Sequence, residues 1–141
     1  MEPRALRNLC PIPDLALRRS GPAMVILVVE DEFLINVVTS DDLRSAGYEV
    51  VPAYNADEAI EILEHRSDID TLFTDVDMPG SMNGLRLAAA VHDRWPPVHI
   101  IITSGKATPA GSQMPQGSRF IPKPWPVHEV IIALRSFETE S

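Results

Sequence analysis

Residues 71–80 have the sequence TLFTDVDMPG, in which a short run typical of a strand is followed directly by two acidic residues. Thr71–Thr74 is rich in the β-branched and aromatic residues that favour a strand buried within a sheet. Asp75 and Asp77 follow where such a strand would end, and a Pro-Gly pair then favours a turn. The stretch therefore predicts a buried strand that carries carboxylates at its carboxyl end.

On both sides of this stretch, strand signals alternate with helical ones. Apolar or β-branched runs predict further strands at Met24–Val29, Tyr48–Ala53, Val98–Thr103 and Arg119–Ile121. Between the strands, apolar residues recur at helical spacing, which predicts helices that each bury one stripe of side chains. The predicted buried stripes are Ile35, Val38, Thr39, Leu43 and Ala46 in the first helix, Ala56, Ala59, Ile60 and Leu63 in the second, Leu85, Ala88, Val91 and Trp95 in the third, and Val127, Val130, Ile131 and Leu134 in the last. Asp42 falls on the first of these stripes. Five strands that alternate with helices predict an α/β fold, a doubly wound parallel sheet covered on both faces.

The segment between Thr103 and Arg119 interrupts this alternation. It contains three glycines and two prolines, at positions 105, 111, 117, 109 and 115, and this composition disfavours a regular helix. We therefore expect the fourth helix to be short or irregular.

Polar side chains lie at the ends of four of the five predicted strands. They are Glu30, Asp31 and Glu32 after the first, Asp75 and Asp77 after the third, Thr103 and Ser104 at the end of the fourth, and Lys123 after the fifth. Because ligands of such sheets bind beyond the carboxyl ends of the strands, we expect these side chains to meet there. Each residue alone also suits a helix cap, a turn or a solvated surface.

In combination these residue types match the needs of phosphoryl transfer. Carboxylates from adjacent strand ends can share Mg²⁺, and an aspartate can hold a phosphoryl group as an acyl phosphate. A lysine and a hydroxyl can stabilise the charge on the transferring oxygens. The sequence thus predicts a phosphoryl-transfer site at one edge of the sheet.

The composition argues against binding to nucleic acid or to a membrane. The chain has 141 residues and a net charge of -8, and it lacks the clustered basic residues with which proteins bind nucleic acid or an anionic membrane. No apolar run approaches the length of a membrane span. A single cysteine, Cys10, cannot form an internal disulfide, which suits a reducing compartment. We expect a cytoplasmic location and neither nucleic acid nor a membrane as a partner.

The first 22 residues differ in character from the rest. They contain four prolines among basic residues without a sustained hydrophobic period, so we expect a poorly ordered extension at 1–22 and one folded domain at 23–138. Met24 stands directly before the first predicted strand and is an alternative start to Met1.

Four blocks of the sequence resemble the signature blocks of response-regulator receiver domains of the CheY-like type. They are Val28–Glu32, Phe73–Gly80, Ile101–Ser104 and Lys123–Pro124, and the similarity extends from about Met24 to the last helix. The resemblance implies a five-stranded parallel sheet of order 2-1-3-4-5 with helices on both faces. It also implies a stand-alone phosphoacceptor of a two-component system or phosphorelay. Such a protein is no enzyme beyond catalysing its own phosphotransfer and dephosphorylation.

The resemblance assigns a magnesium site. Glu30 and Asp31 correspond to the acidic pair, with Asp31 the more direct ligand. Asp75 corresponds to the phosphoacceptor and also to a metal ligand. The backbone carbonyl of Asp77 completes the set that Mg²⁺ is expected to use.

The resemblance also assigns the residues that sense phosphorylation. Thr103 corresponds to the hydroxyl that closes on the phosphoryl group, and Lys123 to the lysine that forms a salt bridge with it. The Lys123-Pro124 bond is typically cis in this family. Phe120 occupies the aromatic switch position, and it is expected to fill the space that Thr103 vacates, which changes a protein-binding surface.

The resemblance further implies its partners. A sensor histidine kinase or a histidine phosphotransfer protein would supply the phosphoryl group, and a downstream protein target would receive the signal. A homodimer through the last strands and helix is a further option.

Two alternatives remain open. One is a phosphatase of the haloacid-dehalogenase type, because Asp75 and Asp77 resemble its nucleophile and acid/base pair. The acids of this chain precede the nucleophile, at Glu30 and Asp31, whereas that family's metal-binding acids follow the lysine. The other is a degenerate interaction module of the same fold that is never phosphorylated, and the complete set of phosphorylation residues argues against it.

Overall fold

A computed structural model describes residues 23–80, 82–106 and 108–140 of the chain. The expectations for residues 1–22, which include Cys10 and the start of the chain, lie outside the described residues. The elements in chain order are β1 (Val25–Val29), α1 (Phe33–Ser45), β2 (Glu49–Ala53), α2 (Ala56–His65), β3 (Thr71–Asp75), α3 (Gly84–Arg94), β4 (His99–Ser104), β5 (Arg119–Pro122) and α4 (Val127–Glu140).

The five strands form one parallel sheet in the order β2-β1-β3-β4-β5, as predicted. Strands β1 and β3 are buried along their whole length, because helices cover both faces of the sheet at its centre. Parallel strands place all their carboxyl ends at one edge, so the residues that follow the strands come together there.

Side chains of the sheet and of the helices pack into two apolar clusters, one on each face of the sheet. The α1/α4 cluster lies on one face and includes Leu43, Leu134 and Phe137 of these helices. The α2/α3 cluster lies on the other face and includes Leu63 and Leu87. Successive residues of β1 alternate between the two clusters, as the period of a strand requires.

The predicted inner stripe of α1 was wrong at several positions. Ile35 and Val38 are 36% and 58% exposed, and Asp42 lies at the surface, which removes the difficulty of an acid on the inner stripe. The buried residues of the helix are Asn36, Thr39, Ser40 and Leu43.

The hydrogen bonds of Asn36 explain this orientation of α1. Its side-chain amide donates to the backbone carbonyls of Glu30 and Ala53, at 3.1 and 2.9 Å. Ser40 donates to the amide oxygen of Asn36 at 3.1 Å. Buried carbonyls need such partners, and apolar side chains could not supply them.

The link between β4 and β5 contains no regular α-helix in its described part, as predicted. It has one 3₁₀ turn, Gly111–Gln113. Met114, which follows the turn, packs against the α2/α3 cluster. None of the helices that the structure describes combines the length and the apolar character needed to cross a membrane.

Candidate functional site

The carboxyl edge of the sheet brings together most of the residues singled out in the sequence. Glu30 directly follows β1, Asp75 ends β3, and Lys123 directly follows β5. Thr103 lies beside Asp75 in the register of β3 and β4. Glu30, Asp75, Thr103 and Lys123 line one small cavity together with Trp125.

Three acidic side chains converge at this edge. Glu30, Asp31 and Asp75 each offer a carboxylate oxygen, and these oxygens all lie within 4.8 Å of one another. Glu30 and Asp75 are buried, and Asp31 is half-buried. Like charges this close in a poorly solvated site repel one another unless a cation or a proton compensates them.

Lys123 supplies one positive charge to the acidic group. Its Nζ donates to Oε1 of Glu30 at 3.0 Å and lies 3.5 Å from Oδ1 of Asp75. Its backbone N–H donates to the carbonyl of Ser104 at 2.9 Å, and the Lys123-Pro124 peptide bond is cis, as predicted. Burial acts to lower the pKa of Lys123, but the hydrogen bond to Glu30 and the charge of Asp75 outweigh it and raise that pKa. The side chain therefore stays an ammonium at neutral pH.

The carboxyl group of Asp75 is ionised less readily than that of an exposed aspartate. Burial and the neighbouring charge of Glu30 raise the pKa of Asp75 from 3.8 to about 6, against the opposing effect of Lys123. Its Oδ1 is buried and accepts no hydrogen bond from the described residues. A buried acceptor without a partner is costly. This oxygen has a long ion pair with Lys123 but no hydrogen bond from the described residues, and with two further carboxylates beside it the group fits a hard divalent cation such as Mg²⁺.

The side chain of Asp77 is not one of the three clustered carboxylates and is hydrogen-bonded to Ser104. Its Oδ2 accepts a hydrogen bond from the hydroxyl of Ser104 at 2.8 Å, and the same hydroxyl accepts from the backbone N–H of Lys106 at 3.1 Å. The carboxylate of Asp77 thus ties the loop after β3 to the loop after β4. This arrangement suits the expectation that Asp77 offers its backbone, and not its side chain, to a metal.

The return of the chain from the loop after β3 depends on Gly84. A Cβ atom at this position would overlap the backbone carbonyl of Asp75. The N–H of Gly84 also donates to the carbonyl of Val76 at 3.0 Å. The absence of a side chain at Gly84 therefore lets α3 begin directly against the backbone of Asp75.

Thr103 and Phe120, predicted to act as a coupled pair, contact different parts of the core. Thr103 is buried, and its hydroxyl accepts a hydrogen bond from the indole N–H of Trp125 at 2.9 Å. Trp125 packs against the α1/α4 cluster, whereas Phe120 packs against the α2/α3 cluster. The structure therefore gives Thr103 an aromatic neighbour other than Phe120.

Two contributors to the site were not identified from the sequence. No role in the site was predicted for Trp125 or for Asn36. The indole N–H of a tryptophan that is at least half-buried, as Trp125 is, usually needs an acceptor, so the position of Trp125 two residues after Lys123 was a usable signal. The sequence contains no comparable signal for Asn36, because its partners are carbonyls at the ends of two separate strands.

A family model described as the response regulator receiver domain matches residues 26–135. Among curated proteins, the chain is similar to the sensor kinase CckA of Brucella abortus, with 32% identity over 120 residues that cover 82% of this chain and 12% of that protein. It is also similar to the response regulator protein FleR of Pseudomonas aeruginosa, with 32% identity over 106 residues, 73% of this chain and 22% of that protein. The chain thus spans only 12% and 22% of the lengths of these two relatives.

Among solved structures, the chain is similar to a response regulator receiver protein from Sinorhizobium medicae WSM419. The two share 26% identity and a TM-score of 0.75, and the match covers 82% of this chain and 94% of that one. The likeness therefore extends over nearly the whole of that receiver.

Proposed function

Because this chain belongs to the response regulator receiver family, we propose that it accepts a phosphoryl group on Asp75 from a phosphohistidine donor in an Mg²⁺-dependent reaction. Receiver domains are signalling modules of two-component systems, and they work with histidine kinases and phosphotransfer proteins. The observation that carries the proposal is the buried Oδ1 of Asp75, which has no hydrogen-bond partner among the described residues and lies 3.5 Å from Nζ of Lys123.

The proposed reaction is a displacement at phosphorus. A carboxylate oxygen of Asp75 forms the new P–O bond, the P–N bond of the donor breaks, and its electron pair returns to the imidazole. Lys123 pairs with a phosphoryl oxygen, and the hydroxyl of Thr103 donates a hydrogen bond to another. Lys123 already pairs with Glu30 and Asp75 before the reaction, so its positive charge needs little reorganisation as the charge moves.

Glu30, Asp31, Asp75 and the backbone carbonyl of Asp77 are the proposed ligands of Mg²⁺. When bound, the ion supplies positive charge that offsets the charge on the phosphoryl oxygens. Among the described residues, Lys123 forms ion pairs with Glu30 and Asp75, and Asp31 adds a third carboxylate, so the site has an excess of negative charge that a divalent cation would compensate.

The surface beside the site supports a protein as the phosphoryl donor. Phe33, Leu34 and Val38, at the start of α1, are 63%, 74% and 58% exposed. Phe33 stacks on Tyr54 with ring centroids 5.9 Å apart, which extends this apolar surface across the loop after β2. Exposed apolar groups that adjoin one another commonly mark a protein-binding surface. We propose that a histidine kinase or a phosphotransfer protein docks there.

The output is proposed to pass to a downstream protein through β5 and α4, with a homodimer through the same elements as an option. Ile132 of α4 is 63% exposed, which leaves an apolar side chain available for such a contact. The phosphatase alternative loses its support, because the acids that meet Asp75 precede it in the chain and come from the end of β1.

The test is intact-protein mass spectrometry after incubation with Mg²⁺ and acetyl phosphate. We expect a single phosphoryl adduct on the wild type, and none on Asp75→Asn or in the presence of a chelator. Asp42→Asn is the matched control, because Asp42 is an exposed acid of α1 outside the site, and it should be phosphorylated like the wild type. An adduct that persists in Asp75→Asn would place the acceptor elsewhere, and a folded wild type that takes up no phosphoryl group would favour the interaction module.

A further inference from the structure

The hydrogen bond between Trp125 and Thr103 gives the site a feature beyond the proposed function. The indole Nε1 of Trp125 lies 2.9 Å from Oγ1 of Thr103. Both side chains line the small cavity that Asp75 and Lys123 also line. The ring of Trp125 is itself held in place, since it packs against Phe73 with centroids 5.4 Å apart.

The direction of the hydrogen bond between Trp125 and Thr103 decides whether the hydroxyl proton of Thr103 is used or free. An indole N–H can only donate, whereas a threonine hydroxyl has two acceptor lone pairs and one proton to donate. With Trp125 as donor, Thr103 is fixed as the acceptor, and its own proton remains available. Thr103 is only 3% exposed, and within the described part of the chain its hydroxyl donates to no acceptor. The hydroxyl is thus anchored at its oxygen while its proton is still unused.

We infer that Trp125 is a positioning residue for phosphoryl transfer, which holds the hydroxyl of Thr103 so that its proton can be donated to a phosphoryl oxygen on Asp75. This inference rests on the proposed function. Without the indole N–H, the described contacts no longer fix the oxygen of Thr103, and its hydroxyl can also adopt orientations that do not direct the proton toward Asp75. The aromatic residue coupled to Thr103 in this chain is then Trp125.

The kinetic test compares four variants with the wild type. Trp125→Phe removes the N–H and keeps a ring beside Phe73, and Thr103→Val removes the hydroxyl and keeps the shape. The third variant combines both changes, and Trp95→Phe is the matched control, because Trp95 is the other tryptophan and packs against the α2/α3 cluster. The rate constant of adduct formation is measured with Mg²⁺ and acetyl phosphate.

We expect Trp125→Phe to lower the rate constant roughly fivefold, which corresponds to one hydrogen bond. Thr103→Val should lower it at least as much, and adding Trp125→Phe to Thr103→Val should change nothing further. Trp95→Phe should match the wild type. If Trp125→Phe is as fast as the wild type or faster, or if it slows the Thr103→Val protein by the same factor, the positioning role is overturned.

A second measurement needs no phosphorylation. The chain has two tryptophans, so its ¹H–¹⁵N spectrum should contain two indole cross-peaks, and the one lost in Trp125→Phe belongs to Trp125. We expect this peak to shift in Thr103→Val and to stay in place in Thr103→Ser, and an unchanged peak in Thr103→Val would overturn the inference. If the wild type forms no adduct, the proposed function is overturned, and the inference falls with it. If the wild type is phosphorylated but Trp125→Phe is not slower, only the inference is overturned.

Discussion

The carboxyl group of Asp75 illustrates how a functional residue can act against stability. Its neighbours include two other carboxyl groups and a single ammonium, and its Oδ1 has no hydrogen bond from the described residues. A protein selected for stability alone would have an uncharged side chain at position 75. The arrangement becomes favourable only when a cation or a phosphoryl group occupies the site, and such groups therefore cluster at functional sites.

This cost predicts that Asp75→Asn stabilises the metal-free protein. At about pH 7.5 the gain should be about 1–3 kcal/mol in the free energy of unfolding, because the pKa of Asp75 is raised from 3.8 to about 6. An acid whose pKa is higher in the folded state costs stability when ionised, and this cost begins to fall as the pH drops below about 6 and is lost completely only below the ordinary value of 3.8. Urea denaturation with a chelator should therefore show a difference at about pH 7.5 that shrinks at about pH 5. A variant less stable than the wild type at both pH values would contradict this account.

Gly84 is a position where only the absence of a side chain permits the observed backbone. We expect Gly84→Ala to lower the free energy of unfolding by about 3 kcal/mol or more, because its methyl group would overlap the carbonyl of Asp75. Gly111→Ala is the matched control, since a Cβ there meets nothing within 4 Å. Urea denaturation of both variants would decide the matter, and equal stability would disprove the overlap.

The helix α1 has an unusual division of its faces. Its first half buries polar side chains against the sheet and exposes apolar ones to solvent. The cause lies in the strand ends below it, where the carbonyls of Glu30 and Ala53 require donors. The consequence is an apolar surface beside the acidic cluster, at the place where a protein donor would have to approach.

This arrangement predicts that substitutions on the buried polar face of α1 reduce stability much more than substitutions on its exposed apolar face. Asn36→Ala should destabilise the protein by roughly 2–3 kcal/mol, because it removes two hydrogen bonds to carbonyls and the acceptor of Ser40. Val38→Ala, on the exposed face, should change stability by less than about 0.5 kcal/mol. Thermal or urea unfolding of the two variants provides the measurement. A larger loss in Val38→Ala would mean that α1 packs with its apolar face inward after all.

The molecule as a whole concentrates its chemistry at one edge of the sheet. All five strands run parallel, so the ends of β1, β3 and β5 present their acids and lysine to one region, while the two apolar clusters stabilise the sheet behind them. Ligand binding at this edge connects separate parts of the chain. It should therefore stabilise the fold globally.

The corresponding prediction concerns Mg²⁺ and the melting temperature. At a free Mg²⁺ concentration about 100 times the Kd, the folded state should gain about 2.7 kcal/mol by mass action, and the Tm should rise accordingly. Asp75→Asn should show a smaller rise, whereas Asp42→Asn should respond like the wild type. Calorimetry with increasing Mg²⁺ would test this. An equal rise in all three proteins would indicate binding at another site.

The order of the elements, the parallel sheet and the strand order agree with the expectations from sequence. So does the irregular link before β5. These features follow from local patterns, because apolar runs, helical spacing and glycine or proline content each restrict the backbone where they occur. The meeting of Glu30, Asp31, Asp75 and Lys123 was also expected, since parallel strands must end at the same edge.

Three features could be seen in the folded chain alone: the rotation of α1, the partner of Trp125 and the overlap that Gly84 avoids. Each depends on atoms far apart in sequence. Asn36 turns α1 because carbonyls of two different strands lack donors, and Trp125 reaches Thr103 across 22 positions. A hydrophobic pattern cannot report such needs, because it records which side chains avoid water and not which buried polar groups require a partner.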